Sequence, residues 1–429
     1  MGSWLRNRLS TSPDWVLTLF ATLAAFSTYT CMYAFRKPFA AAGYLDGPDY
    51  LGLQFKSVLV ISQVLGYMAS KFIGIKVVSE MTPGRRAGAI IVLIGFAELA
   101  LLLFAVSPDW ARPLCLAANG LPLGMVFGLV FGVLEGRRQT EVMGLGLCAS
   151  FVFASGFTKD AGRWLMDQGI SEYWMPAATG LLFVPLLLLS TFLLGSVPPP
   201  TPADEAARTR REPMMGPQRR QFLRTFGPGL VVLVLVYMVL TAYRDFRDNF
   251  MADIWRDLSG TAAPSFSATE TPVSIAVLAL LMLLVLIKDN RKALMVNHLV
   301  IFGGVVLAGL STWLFTSGWI SAYLWLMATG FATYAAYIPF NSILFDRLIA
   351  TFRQPGTVGF LIYVADAFGY LGSVLVQVYR DLGAGGLSWA VFFQQSSYML
   401  CFAGATGIFF SWRYFSSKLK PASPTPQPV

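Results

Sequence analysis

The sequence predicts an all-α membrane protein of about twelve transmembrane helices, arranged as two pseudo-two-fold-related six-helix halves. Three observations lead there. The 429-residue chain is 55% hydrophobic and only 13% charged, whereas a soluble domain carries about 25% charged residues, so the bilayer has to be its solvent. Apolar runs occur at 15–39, 54–77, 87–106, 112–134, 140–168, 173–196, 226–250, 271–288, 294–316, 319–346, 355–380 and 388–412, close to the ~20 residues that one span needs. Shifting the chain by 211 residues places Thr30, Phe35, Arg36 and Phe39 on Thr241, Phe246, Arg247 and Phe250, and Glu135 on Asp346. Coincidences at one offset suggest a parallel six-plus-six repeat.

The first run follows Arg6 and Arg8 and leads into Arg36-Lys37 without a small-residue cleavage site, which predicts a retained span rather than a signal peptide. Every alternate connection is then basic: Lys76/Arg85/Arg86, Arg137/Arg138, the block from Arg208 to Arg224, Lys288/Arg291/Lys292, Arg347/Arg353 and Arg413/Lys418/Lys420. The opposite connections carry Asp46, Asp49, Asp109, Asp167, Glu172, Asp253, Asp257, Glu270 and Asp381. The positive-inside rule puts both termini in the cytoplasm of a multi-pass plasma-membrane protein, in a bacterium the inner membrane. The net charge of +9 is thereby accounted for by topology, and no nucleic-acid partner is expected. Residues 197–225 begin Val197-Pro198-Pro199-Pro200-Thr201-Pro202 and continue with Arg208, Arg210, Arg211, Arg219 and Arg220. Proline plus charge without an apolar period predicts a flexible cytoplasmic linker between halves at 1–196 and 226–413. The tail 414–429 is expected to be disordered.

Cys31, Cys115, Cys148 and Cys401 lie in apolar runs without metal-ligand spacing and are expected to pack. No Walker loop, H-E-x-x-H or G-x-S-x-G is present, so neither an ATP-driven pump nor a membrane hydrolase is expected. No enzyme activity, cofactor or metal is predicted. His298, the one histidine, is expected at the surface or in packing.

Charges inside the spans carry the functional argument, because each costs roughly 2.5–3.5 kcal/mol on insertion scales. In span one Tyr33 shares a helical face with Arg36 and Lys37, with Tyr29 one turn below; the cations could serve a cavity or snorkel to the headgroups. In span two Gln63, Tyr67 and Lys71 form one polar stripe. Span five carries Lys159, Asp160 and Arg163, suited to an ion pair closing an outer gate or to ligand contact. In span seven Tyr243 shares a face with Arg247, Arg244 can pair with Asp248, and Asp245 faces elsewhere; a solvated helix end is the alternative. Asp366 in span eleven is either a proton carrier or the partner of a cavity arginine. Cations outnumber acids among these residues, so an anion is the expected ligand, and arginine's planar fork suits phosphate or carboxylate. Arg36 and Arg247, at equivalent repeat positions, are expected to face each other across a central cavity.

Tyr29-x3-Tyr33-x2-Arg36-Lys37-x-Phe39 and Tyr67-x3-Lys71-Phe72-Ile73 resemble the opening spans of the organophosphate:phosphate antiporters, the glycerol-3-phosphate-transporter-like branch of the major facilitator superfamily. The resemblance is specific over about 60 residues, from Tyr29 to Arg86; elsewhere it is at superfamily level. It implies the major facilitator fold, with Arg36 and Arg247 as paired phosphate-binding arginines and Lys71, Tyr29, Tyr33 and Tyr67 as their neighbours. Ser150 stands where that family has a histidine in span five, Lys159 and the Arg244–Asn249 cluster are additions, and the loop from Gly74 to Arg86 departs from the superfamily's usual motif. The span-seven sequence is similar to uncharacterised bacterial relatives in the same superfamily.

The expected function is that of a monomeric secondary transporter for a small, phosphorylated organic anion, with inorganic phosphate or protons as counter-substrate. The alternatives are a proton-coupled transporter of another solute, using Asp366 or the Asp245/Asp248 cluster, and a transporter-like membrane sensor without turnover.

Overall fold

The computed structural model describes residues 2–202, 204, 216–261, 264–352 and 358–419. After a short helix α1 (Gly2–Ser10), six long helices follow: α2 (Asp14–Ala34), α3 (Phe55–Glu80), α4 (Pro83–Val106), α5 (Arg112–Leu134), α6 (Thr140–Asp167) and α7 (Met175–Gly195). The second half comprises α8 (Gly216–Ser259), α9 (Phe266–Val285), α10 (Asn290–Thr316), α11 (Ala322–Ser342), the short α12 (Leu344–Phe352), α13 (Val358–Leu382) and α14 (Trp389–Lys418). Twelve of these helices are long, six in each half, as the apolar runs predict. Ten of the long helices are both long and apolar enough to cross a membrane. The other two, α11 and α14, are diluted by Thr, Ser, Tyr and Gln, yet pack against α10 and α8 as integral parts of the bundle.

Local chemistry sets the ends. Prolines occupy the first turns of α4, α5 and α7, where their missing N–H costs nothing. Ser265, Asp289, Ser321 and Ser388 cap α9, α10, α11 and α14 by accepting backbone N–H groups. Exposed Trp15 and Trp412 lie on the side of the bundle that bears the termini, and exposed Trp110, Trp174 and Trp319 on the far side, as interfacial aromatic belts do. On the far side Lys56, Arg112, Arg256 and Arg380 have acidic partners in Asp253, Asp109, Asp253 and Asp381.

Two boundaries differ from expectation. The seventh span reaches back to Gly216 and on to Ser259, with non-helical backbone at Phe250, so the expected linker overlaps a helix; residues 203 and 205–215 of it lie outside the described residues. The tenth apolar run breaks at Ile343 (φ −123°, ψ −42°), after Pro339, and continues as separate α12. Residues 420–429 of the expected tail also lie outside the described residues.

Contact between α3 and α5 prepares the centre. A Cβ at Gly66 would lie 2.0 Å from the Ala117 carbonyl oxygen, and one at Gly120 would lie 2.2 Å from that of Gln63. Backbone therefore touches backbone, as small residues permit between membrane helices, and the Gln63–Tyr67–Lys71 stripe is pinned in place.

Candidate functional site

Arg36 sits just past the end of α2. Phe35 leaves the helix (φ −93°, ψ 0°), and Pro38 opens a 3-10 turn over Pro38–Ala41. Asn119 Nδ2 donates to the Phe35 carbonyl at 3.0 Å and Gln63 Nε2 to the Arg36 carbonyl at 3.0 Å; Gln63 also donates to Asn119 Oδ1 at 2.9 Å. This lattice fixes the backbone and turns the guanidinium inward. Arg36 is 5% exposed and lies over the Tyr67 ring at 3.8 Å. Among the described residues no acid forms an ion pair with it, and its Nε has no hydrogen-bond partner. A buried charge without a counter-ion costs several kcal/mol, so this arrangement favours an anion beside it.

The space that Arg36 faces is about 20 Å³, with Tyr29, Tyr33, Tyr67, Lys71, Arg244 and Asp366 among its walls. Three of its lining side chains are cationic and one is acidic. Lys71, Phe127, Asn341 and Asp366 also line a vestibule of about 160 Å³ that extends past Glu135 and Asp346, towards the termini-bearing side. At the boundary Lys71 Nζ meets Asp366 Oδ2 at 2.9 Å, joining the two halves. Tyr237 donates to Asp366 Oδ1 at 2.5 Å and lies 2.8 Å from the Tyr337 hydroxyl, while Asn341 Nδ2 donates to Tyr237 at 3.0 Å.

The expected pairing of Arg36 with Arg247 is corrected. Arg247 lies inside the second half, 2% exposed, bridged to Glu270 at 2.8 Å and donating to the Leu326 carbonyl at 2.9 Å. The residue that joins Arg36 from the second half is Arg244, over the Tyr337 ring at 4.2 Å and 2.6 Å from Asp245. Its expected pairing with Asp248 is therefore also corrected. The cause is local: α2 ends before Arg36, whereas α8 runs on through Arg247, so equivalent sequence positions project differently. Tyr243 is likewise outside the chamber, stacked on Phe393 and bonded to Ser397 at 2.8 Å. Asp245 accepts from Ser373 at 2.8 Å.

Lys159 and Asp248 lie on the far side of the chamber. Lys37 and Lys159, both from the first half, converge on Asp248 at 2.5 and 2.7 Å; Ser155 also donates to Asp248, and Lys37 donates to Asn249 at 2.9 Å. Lys56 and Asp253 add a second bridge between halves at 2.6 Å. Asp160 accepts from the backbone N–H groups of Phe266 and Ser267 at 2.8 and 2.7 Å, capping α9, and Arg163 lies over the Phe266 ring at 4.4 Å. These contacts form a latch between the halves. On the termini-bearing side Arg347 meets Glu141 at 3.0 Å. Replacing Asp248 by asparagine removes the charge shared by both lysines. With spin labels at exposed Gln168 and Ser317, at the far-side ends of α6 and α10, Asp248→Asn is expected to lengthen the distance distribution. An unchanged distribution contradicts the latch.

Sequence reasoning missed Tyr237, Tyr337, Tyr370 and Asn341. For all but Tyr237 the signal is present as Tyr337/Asn341 and Tyr363/Asp366/Tyr370, polar stripes at helical spacing in otherwise apolar runs. Glu270, read as a loop acid, is instead buried in α9. His298 is a packing residue, bonded to the Leu294 carbonyl and Ser411.

The fold is shared with transporters of known structure. A D-xylose-proton symporter aligns at 14% identity with a TM-score of 0.61, over 94% of this chain and 98% of its own. The peptide transporter POT, as a point mutant in complex with alafosfalin, aligns at 14% identity and 0.60, over 94% and 95%. Tetrameric PepTSo2 aligns at 12% and 0.57, over 94% and 97%. No curated protein matches the chain in sequence. Residues 38–418 match the family of unknown function DUF5690, a match that begins just after Arg36 and takes in most of the helical bundle, and the chain belongs to that family.

Proposed function

We propose that this protein is a secondary transporter that carries a small organic anion, in the first instance a phosphorylated one, by alternating access between the two halves. The observation that carries the proposal is Arg36: a buried guanidinium with no acidic ion-pair partner among the described residues, facing a chamber where the halves meet. Arg244 and Lys71 supply further positive charge from the second and first halves. An anion that touches Arg36 and Arg244 together contacts both halves, and such a differential contact is what shifts a conformational equilibrium. The chamber is water-sized here, so the anionic head would sit at the Arg36–Lys71 boundary with the organic body in the adjoining vestibule. Tyr29, Tyr33 and Tyr67 add hydroxyl donors and apolar walls. The far-side latch and the termini-side vestibule correspond to an inward-facing form if both termini are cytoplasmic in a bacterial inner membrane, the orientation the basic loops favour.

A thermal-shift panel of phosphorylated, carboxylated, neutral and cationic metabolites tests the proposal. Phosphorylated compounds are expected to raise the unfolding temperature in proportion to the logarithm of their concentration above Kd. Stabilisation by neutral or cationic compounds alone would overturn the anion assignment.

A further inference from the structure

Resting on the anion site just proposed, the Lys71–Asp366 bridge specifies how transport is driven. We propose that Asp366 is a proton-coupling group: an incoming anion takes Lys71 from it, Asp366 accepts one proton from the vestibule, and anion and proton cross together. The atoms balance without a further reactant. The carboxylate becomes a carboxylic acid, Lys71 stays an ammonium throughout, and the proton leaves when the anion departs and the bridge re-forms.

The geometry carries this in three steps. Lys71 lines both the chamber and the vestibule, so a ligand passing between them meets its ammonium. That ammonium already has a counter-ion at 2.9 Å in Asp366, whereas Arg36 forms no ion pair among the described residues. An anion recruiting Lys71 as well as Arg36 therefore strands a carboxylate in a buried site, which is costly unless it is neutralised. Among the described residues no other cation forms an ion pair with Asp366. From α8, Tyr237 donates a hydrogen bond to Asp366, and Arg244 is bridged to Asp245. From α11, Tyr337 and Asn341 hold Tyr237. From α3, Tyr67 meets the Tyr370 ring edge-on, centroids 5.0 Å apart. Tyr363 and Tyr370 share Asp366's own helix, and Glu135 and Asp346 across the vestibule are acids. Anion and proton thus favour each other's binding, and by linkage the effect is reciprocal.

The test uses purified full-length protein and isothermal titration with sulfate, inorganic phosphate and glycerol 3-phosphate, each in two buffers of different ionisation enthalpy near neutral pH. Sulfate does not titrate in this range, and for the phosphates the wild type minus Asp366→Asn difference removes the ligand's own protons. The expected result is uptake of about one proton more per bound anion by the wild type than by Asp366→Asn, with wild-type affinity rising on acidification by up to about tenfold per pH unit. Asp366→Asn should bind sulfate with pH-independent affinity close to that of the acidified wild type. Should that variant fail to fold, Tyr237→Phe, which removes one donor to the carboxylate, should move the wild-type pH profile to higher pH. Anion binding with no net proton uptake, or a Tyr237→Phe profile superimposable on the wild type, would overturn the coupling role and leave the anion site standing. Failure of the wild type to bind any of the three anions would instead overturn the anion site itself.

Discussion

Replacement of Arg36 by glutamine is expected to weaken anion binding roughly hundredfold, on the order of 3 kcal/mol, while leaving the protein as stable as before or more so. Both halves of that expectation come from the same facts. The guanidinium is buried, stacked on Tyr67 and, among the described residues, without an acidic ion-pair partner. In the absence of ligand its charge therefore opposes folding, and removing it relieves an uncompensated cost. In the presence of an anion it is a charge-assisted donor in a dry setting. Arg36→Lys retains the charge but loses the planar fork and much of the stacking on Tyr67, so its affinity should fall between those of wild type and glutamine. Titration of phosphorylated ligands against purified variants, with thermal unfolding in parallel, checks the pair of effects. A lower unfolding temperature with unchanged affinity would make Arg36 a structural residue.

The opposite signature is expected at Arg247. Replacing it by leucine leaves Glu270 buried without its counter-ion, and breaking a buried pair from one side costs about 3–5 kcal/mol. Arg247→Leu should therefore unfold at markedly lower temperature and accumulate poorly. Adding Glu270→Leu should recover most of the loss, because two apolar side chains replace a buried pair more readily than one charge survives alone. Protein that does fold should bind anions like the wild type. Thermal unfolding of the two single variants and the double variant measures the coupling. A stable Arg247→Leu protein with lost anion affinity would return Arg247 to the ligand site.

These two arginines show where the sequence was legible and where it was not. Span number, spacing and the alternation of basic connections depend on composition and length, both local properties, and the structure bears out the fold they predict. Tyr67 and Lys71 fell on one stripe because helix geometry alone places residues four apart together, and the α3–α5 contact then turns that stripe inward. The equivalence of Arg36 and Arg247 failed because it assumed one helix geometry for both copies. Pro38 and the helix end at Ala34 put Arg36 on a turn, while α8 continues as helix to Phe250. The partners across the halves, Lys71 with Asp366 and Lys37 and Lys159 with Asp248, depend on which helices adjoin in the bundle. That is set by packing over the whole chain and is not carried by the spacing within any one span.

The central claim is that an anion crosses the membrane through the Arg36 chamber. Its most direct measurement is exchange flux in sealed proteoliposomes preloaded with a mixture of phosphate esters and inorganic phosphate, with radiolabelled phosphate or glycerol 3-phosphate outside. Wild-type protein is expected to give saturable uptake, competed by unlabelled anion, and Arg36→Gln of equal abundance and fold to give uptake indistinguishable from protein-free vesicles. Saturable flux retained by Arg36→Gln, or binding without flux by the wild type, would contradict it.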